Sequence, residues 1–137
     1  MKTGQRGFTF IEIMVVVVIL GILAGLVIPR LIGRAEEARV TKAAVQIREI
    51  INALELYRLD NSIYPSTEQG LKALVEEPTT EPEPKKWKQY MDRIPDDPWG
   101  NDYIYICPGN HGPFDLYSLG ADGEESDDDI QSWNLPD

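Results

Sequence analysis

An apolar run from Phe8 to Ile28 constrains this chain more than any other feature. It is 21 residues long and carries one charge, Glu12. Roughly 20 apolar residues, each rising about 1.5 Å, are enough for a helix to cross a bilayer. A carboxylate within such a span costs about 2.5–3.5 kcal/mol or more, depending on its depth. Glu12 therefore requires a partner. A secretory signal peptide accounts for the run poorly, because the run exceeds a usual h-region and no A-x-A site follows it. Ile22-Leu23-Ala24-Gly25 is a weak substitute. A plain membrane anchor explains length and hydropathy but leaves Glu12 unexplained. Lys2 and Arg6 precede the run, and Arg30 and Arg34 follow it. That near balance does not set the orientation.

Helical patterning continues beyond the run. Val40, Ala43, Ile47, Ile50, Leu54 and Tyr57 recur at three- and four-residue steps, with charged residues between them. This is the stripe of an amphipathic helix packed on a sheet. The pattern predicts one helix from Phe8 to about Asp60, on the order of 80 Å long at the standard rise. Pro29 favours a kink within it, and Asp60-Asn61-Ser62 ends it.

About 109 residues remain after the run, enough for one modest domain. Ser66 and Gln69 have capping-box spacing and predict a short helix to about Val75. Residues 76–98 hold Pro78, Pro82, Pro84, Pro95 and Pro98 and read as loop. Within them Lys85-Lys86-Trp87-Lys88 reads as a solvated basic patch that Glu83 can pair with. Trp99, in Asp97-Pro98-Trp99-Gly100, is expected to be buried. Tyr103–Cys107 and Phe114–Ser118 read as strands joined by a Gly/Pro-rich hairpin, and Ile130–Trp133 as a short third strand. The order predicts an α+β fold, a long helix on a small antiparallel sheet.

The net charge of −10 argues against nucleic acid or an anionic lipid surface as a partner. Cys107 is the one cysteine and His111 the one histidine. His111 with Asp115 suggests a base and its orienter. Both sit in or beside the hairpin, and no motif places a nucleophile, so an enzyme is not expected.

Six carboxylates crowd the stretch from Asp122 to Asp129. One reading is a solvated acidic segment. The other is a Ca²⁺ loop, since Ca²⁺ takes six to eight oxygen ligands from carboxylates and carbonyls. Asp122-Gly123 offers a ligand and a turn, and Asp128 returns a carboxylate from the far side. The EF-hand pattern is absent. A strand precedes the loop and Trp133, expected to be buried, follows it, so its ends are tied down.

Arg6-Gly7-Phe8-Thr9-Phe10-Ile11-Glu12 resembles the prepilin signature of type IV pilins and pseudopilins, with Phe10 where that family usually has leucine. The resemblance implies cleavage between Gly7 and Phe8 by a prepilin peptidase, N-methylation of Phe8, and Glu12 as the fifth mature residue. The new ammonium of Phe8 and the Glu12 carboxylate attract strongly in a low dielectric. A contact within one chain is possible at four-residue spacing. A contact with a neighbouring subunit satisfies both charges and sets a filament's register, and is the favoured role.

Further along, Tyr64-Pro65, Thr67-Glu68-Gln69-Gly70-Leu71, Asp96 to Gly100, Ser118-Leu119-Gly120 and Asp128-Asp129-Ile130 with Trp133 resemble the major pseudopilins of type II secretion. That resemblance implies a type IV pilin-like fold with a C-terminal calcium loop. It implies a structural Ca²⁺ held by Asp122 and Asp128, with Asp129 a further candidate and carbonyls from Leu119, Glu124 and Ser126. The loop is one residue shorter between Gly123 and Ser126 than the usual pattern. Residues 1–7 are then a leader, 8–30 the membrane and filament-core half of the helix, and 31–137 a periplasmic domain. The implied product is a homopolymeric pseudopilus that drives protein export, working with minor pseudopilins and an inner-membrane assembly platform. A pilin for adhesion, motility or DNA uptake is the rival; such pilins often close a C-terminal loop with a cysteine pair, and Cys107 stands alone.

Overall fold

The fold is that of a computed structural model, which describes Gly4 and residues 6–137. Part of the expected leader, including Lys2, lies outside the described residues. Helix α1 runs Phe10–Asn61, a 3-10 helix follows at Leu71–Leu74, and three strands complete the chain: β1 Ile104–Ile106, β2 Asp115–Ser118 and β3 Ile130–Gln131. The sheet is antiparallel in the order β1-β2-β3. The α+β architecture expected from the sequence is the one observed.

Two compact units divide the chain, the first reaching Glu37 and the second Ala38–Asp137. In the first, every large apolar side chain from Phe8 to Ile32 is at least 50% exposed. This part of α1 is long and apolar enough to cross a membrane. It passes through Pro29 without ending. It starts at Phe10 rather than Phe8. Thr9 and Glu12 explain the start. Thr9 Oγ1 accepts from the Glu12 amide (3.2 Å), and Glu12 Oε2 accepts from the Thr9 amide (2.8 Å). The pair is a capping box that satisfies two otherwise orphaned donors.

In the second unit the predicted stripe forms the core. Ala43, Ile47, Ile50, Leu54 and Tyr57 are buried with Leu74, Tyr103, Tyr105, Leu116 and Ile130. At the helix end the Asn61 side chain donates to Tyr57 O (3.0 Å) and to Tyr90 Oη (3.0 Å), and Ser62 turns to a positive φ of 64°. That residue stops α1 where the sequence suggested.

Several local expectations change. The Ser66–Gln69 capping box forms, with Ser66 N to Gln69 Oε1 at 3.0 Å and Gln69 N to Ser66 Oγ at 3.2 Å. Gly70 then adopts φ +62°, so only a 3-10 turn follows instead of a helix from Ser66. Strand β1 stops at Ile106, where the Thr67 hydroxyl accepts from the Cys107 amide (2.9 Å) and donates to the Cys107 carbonyl (3.0 Å). β2 is buried at all four residues. β3 ends at Gln131, after which the Ser132 hydroxyl accepts from the Leu116 amide (3.2 Å).

Lys85, Lys86 and Lys88 are exposed, as expected of a solvated patch, but the segment that carries them is pinned. Trp87 Nε1 donates to Ala73 O (2.7 Å), and the Lys86 amide donates to Asn61 Oδ1 (2.8 Å). Lys88 pairs with Asp60 at 3.1 Å, and Glu83 is not the partner seen. Trp99 and Trp133 are half-buried, not fully buried, while Asp97 is buried.

Candidate metal centre and assembly residues

The acidic loop spans residues 119–129 and is closed at its base by the pairing of Ser118 with Ile130. Strand pairing thus brings its two ends together. One carboxylate oxygen from each of Asp122, Asp128 and Asp129 lies within 4.8 Å of the others. The loop is shaped by its own polar groups. Asp122 Oδ1 accepts from the Glu124 amide (3.0 Å), Asp128 Oδ2 from the Ala121 amide (3.1 Å), and Asp129 Oδ1 from the Ser126 amide (3.3 Å). The Ser126 hydroxyl lies against both Asp122 Oδ2 (2.7 Å) and Asp128 Oδ1. One hydroxyl hydrogen cannot serve two carboxylates.

Electrostatics adds to this. Desolvation pushes the Asp129 carboxyl up; a hydrogen bond from Ser126 opposes this, and the charges of Asp128, Asp122 and Glu125 add to it. The hydrogen bond from the Ser126 side chain holds Asp128 below its ordinary value. Three converging carboxylate oxygens, with no histidine or cysteine in the cluster, fit a hard cation of the calcium type.

Of the residues expected here, the structure brings together Asp122, Asp128, Asp129 and Ser126. Ser126 enters through its hydroxyl, while its carbonyl accepts from the Asp129 amide (3.3 Å). Glu124 contributes its amide to the loop, and Leu119 sits half-buried next to β2. The sequence reading missed the Ser126 hydroxyl, although a serine between Glu125 and Asp127 in an acidic run was the available signal. Glu125 turns aside, accepting from Tyr117 Oη at 3.0 Å.

Gly120 is where the loop leaves β2. Its φ is +67°, and a Cβ there would stand 2.7 Å from Asp128 Oδ2 and 2.8 Å from Asp128 O. Gly120→Ala is expected to destabilise the calcium-free protein by more than about 1 kcal/mol, read by thermal unfolding. An unchanged midpoint contradicts this close approach.

His111 and Asp115 do meet, Nδ1 to Oδ2 at 3.1 Å. Their roles are architectural. Asp115 also accepts from the Asn110 (2.9 Å) and His111 (3.1 Å) amides, and the His111 ring stacks on Trp133 with centroids 3.9 Å apart. Desolvation raises the Asp115 carboxyl, but these hydrogen bonds outweigh it and the net shift is downward. The pair fastens the hairpin against the segment that follows the acidic loop.

At the other end of the chain, Phe8 and Gly7 are exposed ahead of α1. The Glu12 carboxylate bonds to the Thr9 amide rather than to Phe8.

Comparison with known proteins gives a consistent result. Residues 2–28 match the prokaryotic N-terminal methylation motif. The type II secretion system core protein G of Pseudomonas aeruginosa is 57% identical, over 97% of this chain and 98% of the relative. The protein of the same name from Escherichia coli K12 is 52% identical, over 96% and 92%. The crystal structure of the major pseudopilin from the type 2 secretion system of enterohaemorrhagic E. coli superposes with a TM-score of 0.70 at 44% identity, covering 77% of this chain and 95% of that one. Residues 30–133 match the model of the type II secretion system (T2SS), protein G family, and the chain belongs to that family.

Proposed function

We propose that this chain is the structural subunit of a type II secretion pseudopilus, polymerising through α1 into a periplasmic fibre that drives protein export. The observation that carries the reading is the first unit of α1. Its large apolar side chains are all exposed in the single chain, and Glu12 is the one charge among them up to Ile28. Such a surface is stable only in lipid or against copies of itself. The family and its named relatives support secretion over the pilin alternative. The role is mechanical and not catalytic.

Residues 1–7 are the leader that prepilin peptidase removes between Gly7 and Phe8, and Phe8 is then N-methylated. Residues 8–30 hold the subunit in the inner membrane as a single pass and later form the filament core. Residues 31–137 lie in the periplasm. Glu12 pairs with the Phe8 amine of a neighbour, while minor pseudopilins and the inner-membrane platform start and extend the fibre. Nucleic acid has no part in it. A structural Ca²⁺ is held by Asp122 and Asp128, with Asp129 beside them and carbonyls of Leu119, Glu124 and Ser126 completing the shell. It relieves the carboxylate repulsion and closes the loop.

Deleting the chain in its host is expected to leave exported enzymes in the periplasm, with secretion restored by supplying it again. Extracellular activity at the parental level in the deletion strain contradicts the proposal.

A further inference from the structure

Asp97 is a buried carboxylate outside the acidic loop, 4% exposed. Its Oδ1 accepts from the Trp99 (3.1 Å) and Asn101 (2.8 Å) amides and so shapes the turn before β1. Its Oδ2 accepts from the Ser118 hydroxyl at 2.7 Å. Ser118 is fully buried at the end of β2, and its Oγ accepts in turn from the Gly120 amide at 3.2 Å. Gly120 is the residue where a Cβ would stand 2.7 Å from Asp128 Oδ2, so its backbone packs close to Asp128. A hydrogen-bonded line therefore runs from Asp97 through Ser118 to Gly120, and close packing carries it on to a candidate ligand.

We propose that Asp97 and Ser118 are positioning residues for the cation loop, holding the Leu119–Gly120 backbone and through it Asp128 in the geometry that Ca²⁺ requires. The inference rests on the calcium reading of the loop. The chemistry is specific to the carboxylate. The Ser118 hydroxyl has one hydrogen, given to Asp97, and a lone pair, given to the Gly120 amide. An amide at position 97 turns a donor toward Ser118 and strands the hydroxyl hydrogen in a dry site. Turned the other way, it sets a donor against the Trp99 and Asn101 amides. Groups that orient ligands from behind typically change metal affinity by about 10–100-fold when altered.

The test is calcium titration of the full chain in detergent micelles by calorimetry, with thermal unfolding in Ca²⁺ and in chelator. Asp97→Asn and Ser118→Ala are each expected to weaken Ca²⁺ binding by about 10–100-fold. The double variant is expected to be no weaker than the worse single one, because both cut one line. Each variant is also expected to narrow the gap between the calcium-loaded and calcium-free midpoints. If Asp97→Asn does not fold, Ser118→Ala decides, since it removes only one hydroxyl. Affinity within about 2-fold of wild type, with loaded and free midpoints falling equally, overturns the positioning role. A wild-type chain that binds no Ca²⁺ instead overturns the calcium reading beneath it.

Discussion

Glu12→Gln is expected to abolish fibre assembly while leaving the subunit folded and inserted in the membrane. The structure makes this substitution unusually discriminating. Glutamine at the third position of a capping box serves as well as glutamate, so the Thr9–Glu12 cap that starts α1 is retained. What is removed is the negative charge. Two unit charges about 4 Å apart attract by about 4 kcal/mol at an effective dielectric near 20. Loss of one leaves the neighbour's ammonium unpaired among apolar side chains, which costs more than losing an exposed pair. Cross-linking between cysteines placed on facing helices, together with electron microscopy of sheared fibres, reads the result. Fibres at wild-type abundance contradict the pairing role.

Calcium removal is expected to have the second large effect. At a Ca²⁺ concentration 100 times Kd, binding stabilises the folded state by about 2.7 kcal/mol. For a domain of this size that is a shift of about 10 °C or more in Tm. Chelator is therefore expected to lower the midpoint by that amount and to shed fibres. Asp128→Asn is expected to melt near the chelated wild type and to lose the response to Ca²⁺. It removes a charged ligand but keeps an oxygen for the Ala121 amide. A midpoint indifferent to Ca²⁺ in wild type returns the loop to a solvated acidic segment.

Features repeated in register were the ones legible in the sequence. The stripe from Val40 to Tyr57 identified the buried face of α1 because helical period and burial coincide there. Ser66 and Gln69 were recognised as a capping box, yet the same spacing at Thr9 and Glu12 was read only as a charge problem. Within a membrane-length run the electrostatic cost of a carboxylate outweighs the smaller signal of a helix cap. Features set by tertiary contact were not legible. The meeting of Asp115 with His111 was legible, but the two hairpin amides that also donate to Asp115 were not. Trp87 looks like part of a basic loop, but its indole reaches Ala73 O. In the acidic loop, Asp122 and Asp128 were visible as returning carboxylates. The support from Asp97 and Ser118 was not, because it joins residues 21 positions apart in the chain.

The most direct test of the pseudopilin account is the intact mass of the mature protein recovered from the membrane fraction. The expected mass is that of Phe8–Asp137 plus one methyl group. An uncut chain, or one beginning after Ala24, contradicts it, because either outcome removes the Phe8 ammonium that Glu12 is there to meet.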